Sequence, residues 1–586
     1  LKGSALENSA QLDPVTVAVV RNYYLSAARQ MRNVLMRASF NPVIYEMIDF
    51  GLGLYNAKAE LLAEGPAIPH FLGTLRFAIG HIVSYVGEGN IVDGDAFIST
   101  YPYWTGSHSQ DVVVVRPIFV AGRIYGYAAV KAHWMDIGAN DIYGTSTVDI
   151  WQEGLQMFGA RVRCAGVMNR EVVEIIRANS RLPDSAIGDL NAQIAACDMG
   201  ARRVLELVEK YGAATVDGCC NAFLDHGEQI TRQAIAAAPD GEWTASGFLD
   251  DNGLNDEPVL IHVKVRISGD ELTIDTTGSA GRQDGPINAP FPATMSFARL
   301  AMKRLMLPSY EANEGCFRPL KMVVPEGSIL NAEPPAPAFL YAFGPYVMGD
   351  LIMGALAEAM PERAVARAGG NECARLFSGT DPRYGGYFAG ADIDGAGQGA
   401  GVDGDGENAL IIYYGGDSRN IPIEVTESKY PIRTLCFELR QDSGGPGRNR
   451  GGLGIVKNWQ ALSDLRFITT VEQTKYPAPG VDGGSAGKPN IIIANANTDR
   501  ETRRGKASDL FVPAGSELHL QSGGGGGWGA AIERPIEAVL EDVRQGYVSA
   551  ASAEVDYGVA IAMREGRWVV DEPQTDELRA DAAAVP

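Results

Sequence analysis

The chain has 586 residues, 46% hydrophobic and 21% charged, which is the composition of a folded globular protein and excludes disorder. Its 72 acidic against 50 basic residues give a net charge of −22, a field that disfavours nucleic acid and anionic membrane as partners. No stretch reaches the ~18–20 apolar residues of a membrane span, the opening Leu1-Lys2-Gly3-Ser4 has no apolar signal core, and seven cysteines without a CxxC spacing read as reduced thiols, so a cytoplasmic location is expected.

The first predicted element is a helix capped by Asp13 with Pro14 at its first position, carrying Val17, Val20, Tyr24, Ala27, Met31, Val34 and Leu35 at helical spacing. A strand region follows over roughly 49–60 and 95–131. Its clearest strands are Val112–Val115 and Ile124–Val130, joined through Ala121-Gly122-Arg123. Residues 184–237 read as two long helices, the first begun by Asp189 and the pair broken at Tyr211-Gly212, with Leu205, Leu207 and Val208 as apolar contacts. Alternation over 259–278 predicts paired strands, and 345–360 a helix stopped by Pro361.

From 378 the composition changes. Glycine makes up 69 residues of the chain, about 12% against a usual ~7%, and 12 of the 38 residues from Gly379 to Gly416. Further clusters stand at 444–447, 451–454, 483–484 and 523–527. A flexible linker would explain any one cluster. All of them together, interleaved with strand-like runs such as Leu410–Tyr414, suggest closely packed backbone of polyproline type. A last helix is expected at about 535–545. The expected division is 1–255 (α/β), 256–378 (β-sheet and helix), 379–530 (glycine-rich) and 531–586 (helix and tail).

Histidine is scarce, with seven in all. The run Tyr103-Trp104-Thr105-Gly106-Ser107-His108-Ser109-Gln110-Asp111 stands just before the Val112 strand, and the next strand ends at Lys131-Ala132-His133. If these strands form a hairpin, His108, Asp111 and His133 converge at one sheet edge. Two neutral imidazoles and a carboxylate suit zinc, manganese or iron. The bland alternative is a hydrogen-bonded surface cluster. His70 fits a structural role or a wall of the same pocket, and His226, His262 and His519 read as structural. No GxxxxGK[ST] phosphate loop and no Gly-x-Ser-x-Gly elbow is present.

Taken together, several segments resemble the hydantoinase B/oxoprolinase family, which includes metal-bearing subunits of acetone and acetophenone carboxylases. They include Asp13-Pro14-Val15-Thr16, Asp49-Phe50, Ala67-Ile68-Pro69-His70, Gly106–Asp111, Gln152-Glu153-Gly154-Leu155, Asp275–Ser279, Gly285–Ala289 and Asn313–Pro319. Arg419–Glu424, Ser443–Arg448 and Gly523–Gly529 complete the series.

The resemblance implies an α+β fold, with barrel-like β-sheets and helical segments running into a glycine-rich bundle of polyproline II-like segments. It implies one divalent metal, zinc or manganese, on Asp49, His108, Asp111 and His133. His108, Asp111 and His133 would be catalytic, and His70 and Asp136 either orient the ligands or are structural. It also implies a hydantoinase A-like ATPase partner that binds the ATP, in a dimer of heteromers, with an added small zinc-binding subunit in a carboxylase.

Hydantoinase members carry Pro where Gln110 stands and His where Trp134 stands, which tilts the expectation toward an ATP-dependent ketone carboxylase. A lactamase, hydantoinase or 5-oxoprolinase subunit is the alternative, and a non-catalytic scaffold for the ATPase the third.

Overall fold

The computed structural model describes residues 12–584; the opening Leu1–Ser4 lies outside them. The first helix spans Pro14–Ala38, with the Asp13 carboxylate accepting the N–H groups of Val15 and Thr16 at 3.3 and 3.1 Å. Its face of Val20, Tyr24, Ala27, Met31 and Leu35 is buried against the helix Pro183–Tyr211. That helix breaks at Gly212 (φ +80°) and resumes as Ala213–Ala236. It begins at Pro183, not at Asp189. Asp189 is buried, and its Oδ1 accepts the N–H groups of Phe40 and Asn41. Leu207 is in the core while Leu205 is exposed.

These helices cover one face of a seven-stranded antiparallel sheet. Its strands are β1 (Phe50–Asn56), β2 (Leu61–Glu64), β3 (Ala96–Ser99), β4 (Asp111–Val120), β5 (Arg123–His133), β6 (Phe158–Cys164) and β7 (Val167–Met168), in the order β2-β1-β5-β4-β3-β6-β7. The helix Pro69–Val86 covers the other face, so both sides of the Val112–Val115 run are buried. β4 and β5 form the expected hairpin. Ala121 and Gly122 both have positive φ (51° and 76°), the turn whose twist matches antiparallel strands. A bulge follows. Phe119 faces Ile124 and Ile118 faces Gly126, leaving Tyr125 without a partner.

The second sheet holds Gly241–Leu249, Val259–Ser268, Glu271–Asp275 and Leu320–Val323. Helices Phe291–Met306 and Phe343–Ala355 share its core; the latter is the helix expected at 345–360. Two further four-stranded sheets lie C-terminal. No sheet among the described residues closes into a barrel. Each has two unpaired edges, and helices or a neighbouring sheet cover its apolar faces, so closure is not what buries them. The expected strand at Leu410–Tyr414 is instead a single bridge from Leu410 to Ala396 followed by a 3₁₀ turn, Tyr413–Gly415. Gly416 then takes φ +57°, which ends any extended run. The last expected helix is Ile536–Arg544, and two more, Ala550–Tyr557 and Glu572–Ala584, follow it.

The glycine clusters meet in one place. Outside any strand, Gly397 N–H donates to Gly523 O at 2.9 Å, Gly445 N–H to Gly525 O at 2.8 Å, and Gly525 N–H to Gly452 O at 3.0 Å. A Cβ at Gly452 would overlap the Glu407 carbonyl, and one at Gly524 the Ser443 carbonyl. Residues 451–454 and 522–529 are buried, unlike a solvated linker.

Candidate metal centre

The ladder builds the site. Asp111, the first residue of β4, pairs directly with His133, the last of β5. Phe50 of β1 pairs with Ala132, which sets Asp49 beside His133, whose N–H donates to the Asp49 carbonyl at 3.1 Å. His108 arrives from the turn before β4, after Gly106 (φ +68°) ends the short helix Pro102–Thr105.

His108 Nδ1 donates to the Phe339 carbonyl at 3.0 Å. That fixes the tautomer and leaves the Nε2 lone pair aimed inward. Nε2 lies 2.8 Å from Asp111 Oδ1 and 3.1 Å from His133 Nδ1, which is itself 3.0 Å from the same oxygen. These ligand atoms lie within 4.8 Å of one another and all three residues are buried. Two imidazole nitrogens turned toward each other around one carboxylate oxygen is a donor set made for a cation, and its N and O atoms fit a divalent transition metal. Burial works to raise the Asp111 carboxyl, but the charge and hydrogen bonds of His108 and His133 hold it well below the usual carboxylate range.

Asp49 lines the same cavity outside the tight trio, and its carboxylate accepts no hydrogen bond among the described residues. Burial pushes that carboxyl up to about 8, His133 opposing and Asp111 reinforcing the shift. A desolvated carboxylate of this kind is stabilised by a cation. His70 is a cavity wall. Its Nδ1 donates to Tyr414 O at 2.9 Å, its Nε2 accepts the Tyr341 hydroxyl at 3.1 Å, and burial lowers its pKa to about 4. Asp136, expected either to orient a ligand or to be structural, does not line the cavity. It is held by Arg181 and by the backbone N–H of Gly138, so it ties the strand end to the 180–181 turn.

Four supporting residues have no local sequence signal that marks them as such. Lys131 is fully buried and donates to Thr74 Oγ1 and Thr105 O, both at 2.6 Å, and to Ser107 Oγ at 3.0 Å. It clamps the loop that delivers His108, and burial lowers its pKa to about 7 against the pull of Asp111 and Asp49. Glu153 accepts from Thr147 Oγ1 and from the N–H groups of Ala338 and Phe339, and so holds the peptide on which His108 rests. Tyr341 and Glu372 come from more than 200 residues beyond the ligands and line the cavity with Phe339.

Gln110 and Trp134, the two departures from the hydantoinase pattern, do not line the cavity. Strand alternation turns His133 inward and Trp134 to the opposite face, where its indole N–H donates to Gln193 Oε1 at 2.9 Å. The Gln110 amide donates to the Glu153 carbonyl. His262 bonds Ser246 and His519 bonds Glu517, both away from the cavity. No helix among the described residues is long and apolar enough to cross a membrane.

The chain is similar along almost its whole length to known proteins. It is 33% identical to the B component of a putative D-/L-hydantoinase of Pseudomonas sp. (strain NS671), over 97% of this chain and 98% of that one. The crystal structure of an ATP-dependent caprolactamase from Pseudomonas jessenii superimposes with a TM-score of 0.89 at 27% identity, covering 97% of this chain and 100% of that chain. A nucleotide-free acetone carboxylase superimposes with the same TM-score at 20% identity, over 98% and 84% of the two chains, and so shares the fold. A family profile described as hydantoinase B/oxoprolinase matches residues 13–531, and the chain belongs to that family.

Proposed function

We propose that this chain is the metal-bearing catalytic subunit of an ATP-dependent enzyme that opens a cyclic amide, a hydantoin or lactam, after a hydantoinase A-like ATPase partner has phosphorylated the substrate oxygen. The observation that carries the proposal is the buried convergence of His108, Asp111 and His133 in a cavity lined by both apolar and polar side chains. The relatives named for hydantoin and caprolactam chemistry support the substrate class, and the missing phosphate loop supports an ATP site on the partner. Asp49, His108, Asp111 and His133 would hold one divalent metal, zinc or manganese. Bound there, it would polarise a carbonyl and bring the pKa of water down to about 7.

The chain's own residues do the rest. Phe339 O keeps His108 in one tautomer. Tyr341 donates its hydroxyl proton to His70 Nε2 and sets its oxygen 3.4 Å from Asp111 Oδ2. Phe71, Phe339, Leu376 and Ile393 line the cavity with apolar surface that excludes bulk water from an activated, hydrolysable species. The glycine-rich core is read as packed polyproline II-like segments, and the particle as a dimer of heteromers.

Ketone carboxylation, with an additional small zinc-binding subunit, is the second reading. The shared acetone carboxylase fold favours it, while the two residues that tilted toward it lie off the cavity. Co-purification with the ATPase partner, followed by ATP turnover on hydantoin, caprolactam, acetone and acetophenone with and without bicarbonate, separates the two. Bicarbonate-independent ring opening is expected. Bicarbonate-dependent ketone consumption without ring opening would replace the proposal.

A further inference from the structure

The cavity lining includes four hydroxyl groups, on Tyr143, Tyr341, Tyr346 and Thr470. Three are engaged within the protein. Tyr341 donates to His70 Nε2 at 3.1 Å, Tyr346 to the Glu372 carboxylate at 2.6 Å, and Thr470 to the Ala374 carbonyl at 3.3 Å. The hydroxyl of Tyr143, a partly buried residue, has no hydrogen-bond partner among the described residues.

Tyr143 stands beside the trio. Its ring packs edge-on against His108 with centroids 5.1 Å apart, and lies 6.3 Å from the His133 ring and 4.6 Å from that of Phe339. Burial first, and then the charges of Asp111, Glu372 and Asp49, act on its hydroxyl, which sets that oxygen toward the carboxyl groups of the cavity. The loop that carries Tyr143 is tied down before and after it: Asn140 N–H donates to Gln152 O, and Thr145 N–H to Ser508 Oγ, both at 2.9 Å. A Cβ at Gly144 would stand 2.8 Å from the Phe339 ring, so the loop closes onto the residue whose carbonyl holds His108. A donor fixed in this way needs no reorganisation when its acceptor arrives.

The activated substrate brings such an acceptor. A phosphoryl group carries negative oxygens into a cavity whose described lining holds no Lys or Arg and does hold the carboxyl groups of Asp49, Asp111 and Glu372. Apart from a bound cation, what is left to meet those oxygens is neutral donors, and a hydroxyl donating to a charged oxygen makes the strong kind of hydrogen bond.

We propose that Tyr143 is a substrate-binding residue whose hydroxyl donates a hydrogen bond to a phosphoryl oxygen of the activated ring and holds the ring carbon toward His108, Asp111 and His133. This rests on the cyclic-amide reading of the site. The phenol keeps its own proton, and no bond is made or broken at it.

The test compares the natural chain with Tyr143→Phe, which keeps the ring and removes the hydroxyl. The metal-loaded full chain is titrated calorimetrically with inorganic phosphate, with metal content and the near-ultraviolet tyrosine difference spectrum measured alongside. The complex with the ATPase partner is then assayed for hydantoin and caprolactam opened per phosphate released.

In Tyr143→Phe metal content stays the same, phosphate binds about 10- to 100-fold more weakly, and the tyrosine difference signal that phosphate evokes in the natural chain disappears. Fewer rings open per phosphate released, because an activated ring that is not held loses its phosphoryl group to water. The water oxygen bonds to phosphorus, the bond from phosphorus to the substrate oxygen breaks with its electron pair staying on that oxygen, and the intact amide returns. Unchanged phosphate affinity or unchanged coupling in the variant would overturn the proposal, as would no phosphate binding by the natural chain. If Tyr143→Phe fails to fold, the natural chain decides alone, and phosphate binding without a tyrosine difference signal counts against Tyr143. Ring opening by the natural complex that Tyr143→Phe matches in rate and coupling sinks the role of Tyr143 and leaves the cyclic-amide reading standing. Bicarbonate-dependent ketone consumption without ring opening sinks that reading itself.

Discussion

At the cavity end of the first sheet, side chains do the positioning: Glu153 holds a peptide, the peptide holds His108, and His108 meets Asp111 and His133. Around Gly452 and Gly524 side chains are missing altogether, and main chain meets main chain. Both regions are buried and densely hydrogen-bonded. The first gathers ligand-type side-chain atoms of two histidines onto one carboxylate oxygen in a cavity; the second pairs backbone with backbone and opens on no cavity. Convergence of titratable side chains on one point is therefore the mark that separates a site from a tightly packed core.

The strongest way to break this contrast is at the ligands. His108→Ala or His133→Ala should eliminate bound metal by elemental analysis and abolish ATP-dependent turnover, and should lower the melting temperature as chelation of the natural protein does. Metal retained in full by either variant would mean that the trio is only a hydrogen-bonded cluster. Next comes Glu153→Ala, which should cost about 10- to 100-fold in metal affinity by freeing the Phe339 peptide, read by competition with a chelator.

On the other side of the comparison, Gly452→Val should destabilise by about 1–3 kcal/mol or more through overpacking, with metal stoichiometry intact in the protein that folds. Gly404→Ala, where a Cβ meets nothing within 4 Å, should shift stability by no more than about 0.5 kcal/mol. Equal melting temperatures for the two variants would count against backbone contact as the reason for glycine. The smallest effect is expected from Trp134→Phe. It should lose about 1 kcal/mol with the Gln193 hydrogen bond and leave the substrate range unchanged. An altered substrate range would put position 134 back in the cavity.

The trio was legible because it is local to one hairpin: His108 and Asp111 flank a strand start, His133 ends its partner, and the turn at Ala121-Gly122 announces the fold-back. The first helix was legible from Asp13 and Pro14. Asp136 stays open between two roles at the level of sequence, because proximity along the chain to His133 says nothing about which way a loop residue turns; here Arg181 claims it. Tyr341 and Glu372 join the site through packing of the second and third sheets, a long-range event with no periodicity to read. Leu410–Tyr414 misled because a β-rich composition without a neighbour to pair with does not make a strand.

The unpaired Tyr125 has a reach well beyond its own position. Counting back from the turn, a regular hairpin would set Asp111 against Ala132; the one extra residue at the bulge advances the count so that His133 arrives instead. The distal end of the hairpin thus acts as a ratchet for the proximal end. Pairing Tyr125 into a regular ladder, with the chain length unchanged, would deliver the Ala132 methyl group where an imidazole now stands, whereas deleting Tyr125 would remove the bulge and keep His133 opposite Asp111. Apart from the bulged residue itself, length changes in this hairpin are therefore tolerable only in compensating pairs, one on each strand, and drift in its outer loop is coupled to the chemistry by arithmetic and not by contact.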